Sequence, residues 1–298
     1  MNRHTHYPTA LALVFGSAFL LASAAHAQQP PAPTAPPEQT VAPATPADDD
    51  GALDLAEPDF VVINLPTTLR LPVHGGDFHL THRFEGNLRS GGFGSQLSTL
   101  FGVDVGAAMS FEYRFGLMRH LELIASRANR GAVIEFSAKY DGIHQSAEAP
   151  VSVSGIVSIE GDSNFGANSG DNPKNYAPAL GLVISRKVHD RLAVYATPFW
   201  VHGTAIAQTG GNTGFVGVGA RARISPTVYL LAEVTPRLGG LEISADPEYG
   251  FAIETRVGAH VFALTFTNGT TNTTYRQLAR GFAPGQLHLG FNLTRKFF

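Results

Sequence analysis

The sequence GQLHLGFNLTRKFF, residues 285–298, closes the chain and decides its fold. Apolar residues stand at alternate positions there, which is the pattern of a β-strand with one apolar face. Chain termini usually fray, whereas the last strand of a transmembrane barrel must pair with the first and leave no open edge in lipid. The ending therefore predicts an outer-membrane β-barrel, with its closing strand defined by Leu289, Phe291, Leu293 and Phe297.

The composition agrees with a barrel and excludes several other classes. Charged residues make up 15% of the 298 residues, and the mean hydropathy of +0.02 is too polar for a bundle of membrane helices. A barrel has a near-zero average because its apolar residues alternate with polar ones. The net charge of -3, without a basic cluster, predicts no nucleic-acid partner. The sequence has no Cys, which excludes disulfides and thiolate metal sites.

The first 27 residues read as a secretory signal peptide. Residues 10–24 form an apolar run, and Ala25 and Ala27 frame an A-x-A cleavage site. The run is shorter than the roughly 20 residues that a membrane-spanning helix needs. The N-terminus therefore predicts export across the inner membrane followed by cleavage after Ala27.

A linker and a barrel domain follow the signal peptide. Residues 28–58 are rich in Pro, Ala and Thr and predict a disordered linker, because such a segment cannot bury enough apolar surface to fold. The barrel domain is predicted to span residues 59–298. Within it, residues 60–72 are expected either to cross the periplasmic mouth or to begin the barrel wall.

The barrel domain contains about twelve alternating runs of the length that a tilted membrane strand requires. Short connections alternate with long polar ones, and an even strand count puts both termini on the periplasmic side. The fold class predicted is all-β, an up-and-down antiparallel transmembrane β-barrel. A soluble β-sandwich would explain neither the terminal strand nor the loop asymmetry. The predicted strands cover residues 77–84, 107–115, 121–127, 132–140, 149–159, 175–186, 191–202, 213–223, 228–236, 248–257, 259–267 and 285–298.

Four stretches of the sequence carry a family resemblance. They are FVVINLPTTLRL (60–71), DFHLTHRF (77–84), GAHVFALTFTNGT (258–270) and GQLHLGFNLTRKF (285–297). In combination they resemble the bacterial outer-membrane β-barrel family known as domain of unknown function 5777. The resemblance covers most of residues 60–298. It implies an outer-membrane-type barrel and transfers no catalytic residue.

Charged residues on the polar faces of the strands are candidates to line the lumen. A barrel of about twelve strands has a narrow interior, so these charges either set the preference of a pore for small solutes or ions or pair with each other in a closed barrel. The pore is the first prediction. The alternative is a structural or docking barrel that recruits an envelope or electron-transfer partner. The lumen-lining candidates are Arg83, Glu112, Arg114, Glu135, Lys139, Glu254 and Arg256.

Enzymatic and metal chemistry have little support in the sequence. His202 is a candidate base for a lipid hydrolase, but no convincing nucleophile and no G-x-S-x-G motif accompany it. The His spacing predicts neither a metal site nor a haem site. We therefore expect no enzyme activity and no cofactor. The partners predicted are outer-membrane lipid, small solutes, and the barrel assembly machinery, which would act through the C-terminal strand.

Overall fold

The computed structural model describes residues 56–162, 176–204, 211–239, 245–270 and 274–298. The predicted signal peptide with Ala25 and Ala27, and residues 28–55 of the predicted linker, lie outside these ranges. Among the described residues, none of the helices has the length and apolar character needed to span a membrane.

The described residues form twelve antiparallel strands that close into one barrel, which confirms the predicted fold class. Each strand pairs with its neighbours in chain order. The described parts of the connections contain two short α-helices, α1 (Phe93–Ser98) and α2 (Tyr275–Arg280), and two 3-10 turns, Val103–Val105 and Arg130–Ala132. The strands are β1 (Gly76–Phe84), β2 (Ala107–Met118), β3 (Leu121–Ala128), β4 (Val133–Ile143), β5 (Ser152–Asp162), β6 (Ala177–His189), β7 (Leu192–Val201), β8 (Thr213–Arg223), β9 (Val228–Thr235), β10 (Glu248–Val257), β11 (His260–Thr267) and β12 (His288–Phe297).

The C-terminal strand closes the sheet as its alternation predicts. β12 pairs with β1 from Gly76 opposite Phe297 to Arg83 opposite Gly290. Residues 290–295 of β12 therefore have a partner strand on both sides, as a closed barrel in lipid requires. Leu289, Phe291, Leu293 and Phe297 lie on the outward face of β12, and the inward positions between them are buried. Recognition of this strand by the assembly machinery stays a prediction.

The two ends of the barrel differ in their connections. At one end, here called the turn end, lie the short connections 119–120, 190–191 and 258–259 together with the first residue of β1 and the last of β12. At the other end, the loop end, most connections are longer and include residues 85–106 with α1 and residues 268–287 with α2. The predicted alternation of short and long connections is present except around β4, where residues 129–132 at the loop end are short and residues 144–151 at the turn end are longer.

Side chains on the outward faces of the strands form an exposed apolar belt. It includes Phe111, Phe136, Leu180, Trp200, Phe251, Phe262 and Leu264. Inward positions are mostly polar or charged and are nearly all buried. This arrangement is the reverse of a soluble barrel and matches a lipid-facing exterior.

Candidate functional site

The lumen is occupied by the segment that precedes β1. Residues 58–68, here called the plug hairpin, form a two-stranded turn inside the barrel, in which Val62 N donates to Leu65 O at 2.8 Å and Thr67 N to Phe60 O at 2.8 Å. Residues 60–72 were expected to cross the mouth or begin the wall, and both expectations are wrong. β1 and β12 already pair with each other, so the sheet is closed without this segment.

The plug hairpin enters from the turn end and points toward the loop end. Near the turn end, Lys296 Nζ donates to Pro58 O and Thr294 Oγ1 donates to Asp59 Oδ2. Ala56 and Glu57, the first residues described, are buried as well. The last three residues of the predicted linker, 56–58, therefore lie inside the barrel.

The tip of the hairpin is held by one carboxylate of the wall. Glu233 on β9 accepts hydrogen bonds from the backbone nitrogens of Ile63 at 3.0 Å, Asn64 at 2.8 Å and Leu65 at 3.2 Å. Three converging N–H groups form an anion-binding nest. The tip therefore presents a positive concavity to a wall residue that is itself buried.

The Asn64 side chain extends this contact. Its amide nitrogen donates to Glu248 at 2.8 Å, and its oxygen accepts from Arg83 at 3.1 Å. Arg83 also donates to Asn292 at 2.7 Å, which in turn donates to Ile63 O at 2.8 Å. The tip is thus bonded to β1, β9, β10 and β12.

Cations of the wall satisfy the carbonyls of the plug hairpin and of the segment after it. Lys139 Nζ donates to Thr67 O at 3.3 Å and to Leu69 O at 2.6 Å. Arg221 donates to Val61 O at 2.6 Å and to Glu254 at 2.9 Å. Buried carbonyls outside a sheet need such donors. The wall charges therefore act as hydrogen-bond partners of the plug.

The ring of Phe60, in the plug hairpin, is surrounded by cations of the barrel wall. Phe60 is 1% exposed, and its ring centroid lies 5.7 Å from the Arg114 guanidinium, 6.0 Å from Lys139 Nζ and 5.1 Å from Lys296 Nζ. Three cations within about 6 Å of one ring centroid are consistent with favourable cation–π contacts.

The structure places the predicted lumen-lining charges on the inward face of the barrel wall. Arg114 bonds Glu112 at 2.7 Å and Glu122 at 3.2 Å. Sequence reasoning did not single out Arg221 or Glu248, although both stand at inward positions of alternating strands, and that signal could have found them. Of the predicted set, Arg83, Arg114, Glu135, Lys139 and Glu254 are buried, whereas Glu112 and Arg256 are partly exposed.

Helix α2 fills the lumen from the loop end. Tyr275 stacks on Phe199 with ring centroids 4.2 Å apart, and Phe199 stacks on Phe215 at 5.3 Å. Leu278, on the buried face of the helix, is fully buried. Burial, with Glu135 nearby, raises the pKa of the Tyr275 phenol well above its usual value, so the ring stays neutral.

Two contacts bind α2 to carboxylates of the wall. The backbone nitrogen of Tyr275 donates to Glu135 at 3.3 Å, and Arg276 lies 3.6 Å from Glu160. Thr274 caps the helix by accepting a hydrogen bond from Gln277 N at 3.3 Å. The loop between β11 and β12 is therefore folded into the barrel by specific contacts.

A small polar cavity lies between the plug hairpin and α2. Its volume is about 40 Å³, which is room for a few water molecules. A water-filled lumen would leave inward side chains accessible, yet Arg83 and Glu254 are 1% exposed and Lys139 is 0% exposed. The described residues therefore fill the middle of the barrel. The cavity lining includes Asn64, His79, Glu112, Arg114, Glu135 and Tyr275.

The residues considered for other chemistry are not assembled into a site. His202 bonds Asn212 through Nδ1 at 2.6 Å and lies 6.1 Å from the Trp200 ring. Among the residues that the structure describes, no group of three or more His, Asp or Glu side chains is placed to hold a metal ion.

Comparison with known proteins places the chain in a family. The family model described as a membrane bound beta barrel domain (DUF5777) matches residues 59–297. The chain belongs to this family. The matched region begins at Asp59, so the family domain includes nearly all of the plug hairpin as well as the barrel wall. A search of curated proteins finds no match.

Several solved structures resemble the DUF5777 domain of this chain. The NanC porin is 8% identical, with 75% of this chain and 99% of that chain covered and a TM-score of 0.46. Omp33, an outer membrane protein of Acinetobacter baumannii, is 8% identical over 76% and 98% of the two chains, with a TM-score of 0.39. DcaP, an outer membrane channel of the same organism, is 13% identical over 64% and 63%, with a TM-score of 0.32.

Proposed function

We propose that this protein is an outer-membrane pore for small solutes or ions that its own plug hairpin and α2 close, and that it conducts when the hairpin leaves the lumen and α2 swings out of the loop end. The observation that carries the proposal is the burial of the inward charges against residues 56–72. The signal-peptide pattern and the membrane-bound family support the outer membrane as the location. The proposal assigns no catalytic reaction.

The hairpin can leave without breaking the barrel wall. Hydrogen bonds between neighbouring strands close the sheet from β1 to β12, and the hairpin takes no part in that ladder. It is held by side chains of the wall, such as Glu233 and Lys139, which water can solvate once the hairpin is gone. Withdrawal toward the turn end therefore has a free-energy cost set by these contacts and leaves the wall intact.

The wall charges favour cations as the solutes of the open state. Carboxylates predominate among inward charges near the loop end, and Arg83 is the cation of the wall that lies beside them. In a narrow lumen a ring of carboxylates lowers the free energy of a passing cation. These carboxylates are Glu135, Glu160, Glu233 and Glu248.

A closed docking barrel is the second candidate. The observation that favours it is that the lumen is filled from both ends, by the plug hairpin and by α2. In this function the hairpin never leaves, and partners bind the loops or the N-terminal arm. The two functions differ in whether movement of the hairpin produces conductance.

A reversible crosslink between hairpin and wall separates the two functions. The side-chain oxygens of Thr68 and Ser185 are 2.5 Å apart, and the sequence contains no Cys, so Thr68→Cys with Ser185→Cys creates a single lockable pair. We expect wild-type protein in a planar bilayer to show openings that prefer cations. The oxidised double variant should be silent, and reduction should restore the openings. Ser185→Cys alone is the matched control and should not respond to oxidant.

Each result of this experiment decides between the functions. Openings that persist after the disulfide is shown to have formed would overturn the closure by the hairpin. Silence of the folded wild-type protein and of the reduced double variant alike would overturn the pore and support the docking barrel.

A further inference from the structure

The connection between β1 and β2 exposes a cluster of large apolar side chains. Phe93 is 75% exposed, and the cluster also contains Leu97, Leu100, Phe101 and Val105. Between residues 87 and 106 the sequence has two charged residues, Arg89 and Asp104. A soluble surface rarely leaves such a patch open to water, so the patch indicates a contact with another apolar phase.

Helix α1 and the turn after it both contribute to this exposed cluster. Phe93 and Leu97 are four residues apart and so lie on one face of α1. α1 ends at Ser98, and the chain then turns through two residues with positive φ, Leu100 at 49° and Phe101 at 54°. The rings of Phe93 and Phe101 still meet edge to face at 6.2 Å. The turn therefore keeps these two rings in one cluster.

The base of the connection lies against the outside of the barrel wall. Leu88 N donates to Leu287 O at 2.7 Å, just before β12 begins. The Arg89 guanidinium lies 5.8 Å from the centroid of the Tyr249 ring. Tyr249 alternates with the buried inward residues Glu248 and Gly250 and so points outward. The Arg89 guanidinium over this ring is therefore outside the barrel at its rim, although Gly86, three residues earlier, still bonds the inward-facing His288.

The apolar belt of the wall continues up to this connection. Phe84, the last residue of β1, lies on the outward face, 6.4 Å from the Phe291 ring, and His82 stacks on Phe291 at 4.7 Å. Tyr249 is followed on the same outward face by Phe251, which stacks on Phe266 at 4.8 Å. The base of the connection that carries the exposed cluster is thus adjacent to the surface that a membrane-bound barrel presents to lipid.

We propose that residues 93–101 insert into the membrane at the loop-end rim and that lipid is the partner of this apolar face. Short amphipathic segments bind the boundary between headgroups and acyl chains through such faces. Arg89 is exposed beside the insertion, where its guanidinium can pair with lipid phosphates. The connection then acts as a lipid anchor that holds the loop end of the barrel at a defined depth. This inference does not depend on whether the lumen conducts.

A tryptophan placed in the cluster tests the insertion. The chain has one Trp, so Trp200→Phe provides a background in which Phe93→Trp is the sole emitter. The protein is refolded into phosphatidylcholine vesicles with or without bromine on the acyl chains. We expect blue-shifted emission that brominated lipid quenches at least twofold. Ser95→Trp in the same background is the matched control, because it lies two residues away on the opposite side of α1, and it should be quenched by aqueous iodide instead.

Two outcomes would overturn the proposal. Emission of Phe93→Trp near that of free tryptophan, insensitive to brominated lipid, would mean that the face is in water. Blue-shifted emission that brominated lipid does not quench and that disappears on dilution with excess lipid would mean that a second copy covers the face. Heat-modifiable mobility in SDS gels shows for each variant that the barrel has folded.

Discussion

The carboxylate of Glu233 lies 2.8 Å from the backbone nitrogen of Asn64, although the two residues are 169 positions apart in the chain. This contact joins the tip of the plug hairpin to the wall of the barrel. The same carboxylate also bonds the backbone nitrogens of Ile63 and Leu65. One wall residue therefore accepts three of the hydrogen bonds that keep the lumen closed.

Replacing this carboxylate should loosen the plug. In Glu233→Gln the side chain keeps one acceptor oxygen and turns an N–H₂ group toward backbone donors. A hydrogen bond to a charged group is worth about 1.5–3 kcal/mol, so the open probability should rise by about tenfold to a hundredfold. Single-channel recording measures the change. Thr235→Ser, two residues along the same inward face, should behave as wild type. An unchanged open probability in Glu233→Gln would mean that the hydrogen bonds from the hairpin tip to Glu233 do not hold the lumen closed.

A pair of glycines on β8 tests the packing of the plug. A Cβ at Gly217 would lie 2.6 Å from Leu65 Cδ2 and would also press on Thr197, whereas a Cβ at Gly219 would meet Val62 at 3.4 Å, which is an ordinary contact. Overpacking costs about 1–3 kcal/mol. We expect Gly217→Ala to increase protease cleavage of the released hairpin and Gly219→Ala to leave it unchanged. Equal cleavage in the two variants would count against close packing of Leu65 on the wall.

Removing a buried cation should lower stability more than it alters selectivity. Lys139 is fully buried, and its Nζ lies 3.2 Å from Glu122. Lys139→Met leaves carbonyls of the plug without a donor and Glu122 with less compensation, at a cost of about 3–5 kcal/mol. We expect a lower unfolding midpoint by circular dichroism in detergent.

Two further variants test whether the lower unfolding midpoint comes from the buried contacts of Lys139 or from the loss of any positive charge. Arg191→Met removes an exposed cation at the turn end and should leave the midpoint unchanged. Lys139→Met combined with Glu122→Gln should recover part of the loss, because the uncompensated charge is gone. A midpoint unaffected by Lys139→Met would mean that water already solvates this position.

The helix at the loop end gives an independent prediction. Leu278 is fully buried on the inner face of α2, and Leu278→Asp would place a carboxylate in that apolar contact, which is costly without a partner. We expect α2 to leave the lumen and the amides of residues 274–281 to exchange at least tenfold faster by mass spectrometry. Gln277→Asp, at a half-buried neighbour, should keep the slow exchange. Slow exchange in Leu278→Asp would contradict the packing of α2 against the wall.

The sequence by itself determined the wall of this protein. Alternation in β12 and in the other runs depends only on which side chains face lipid, and that is a local, two-residue period. The closing strand with Phe291 and Leu293, the count of about twelve strands and most of the order of short and long connections could therefore be predicted without coordinates. The inward direction of Arg83, Arg114 and Lys139 followed from the same period.

Only the tertiary structure decided what fills the lumen. The segment FVVINLPTTLRL, residues 60–71, is apolar enough to belong to a wall strand. The alternation of apolar and polar residues predicts which face of a strand a side chain lies on, but not which distant residue it contacts. The bonds from Glu233 to Asn64 and from Lys139 to Leu69 join positions far apart in the chain. Such contacts exist because a barrel of this diameter leaves room for one hairpin and one short helix, and that room is defined only once all twelve strands have closed.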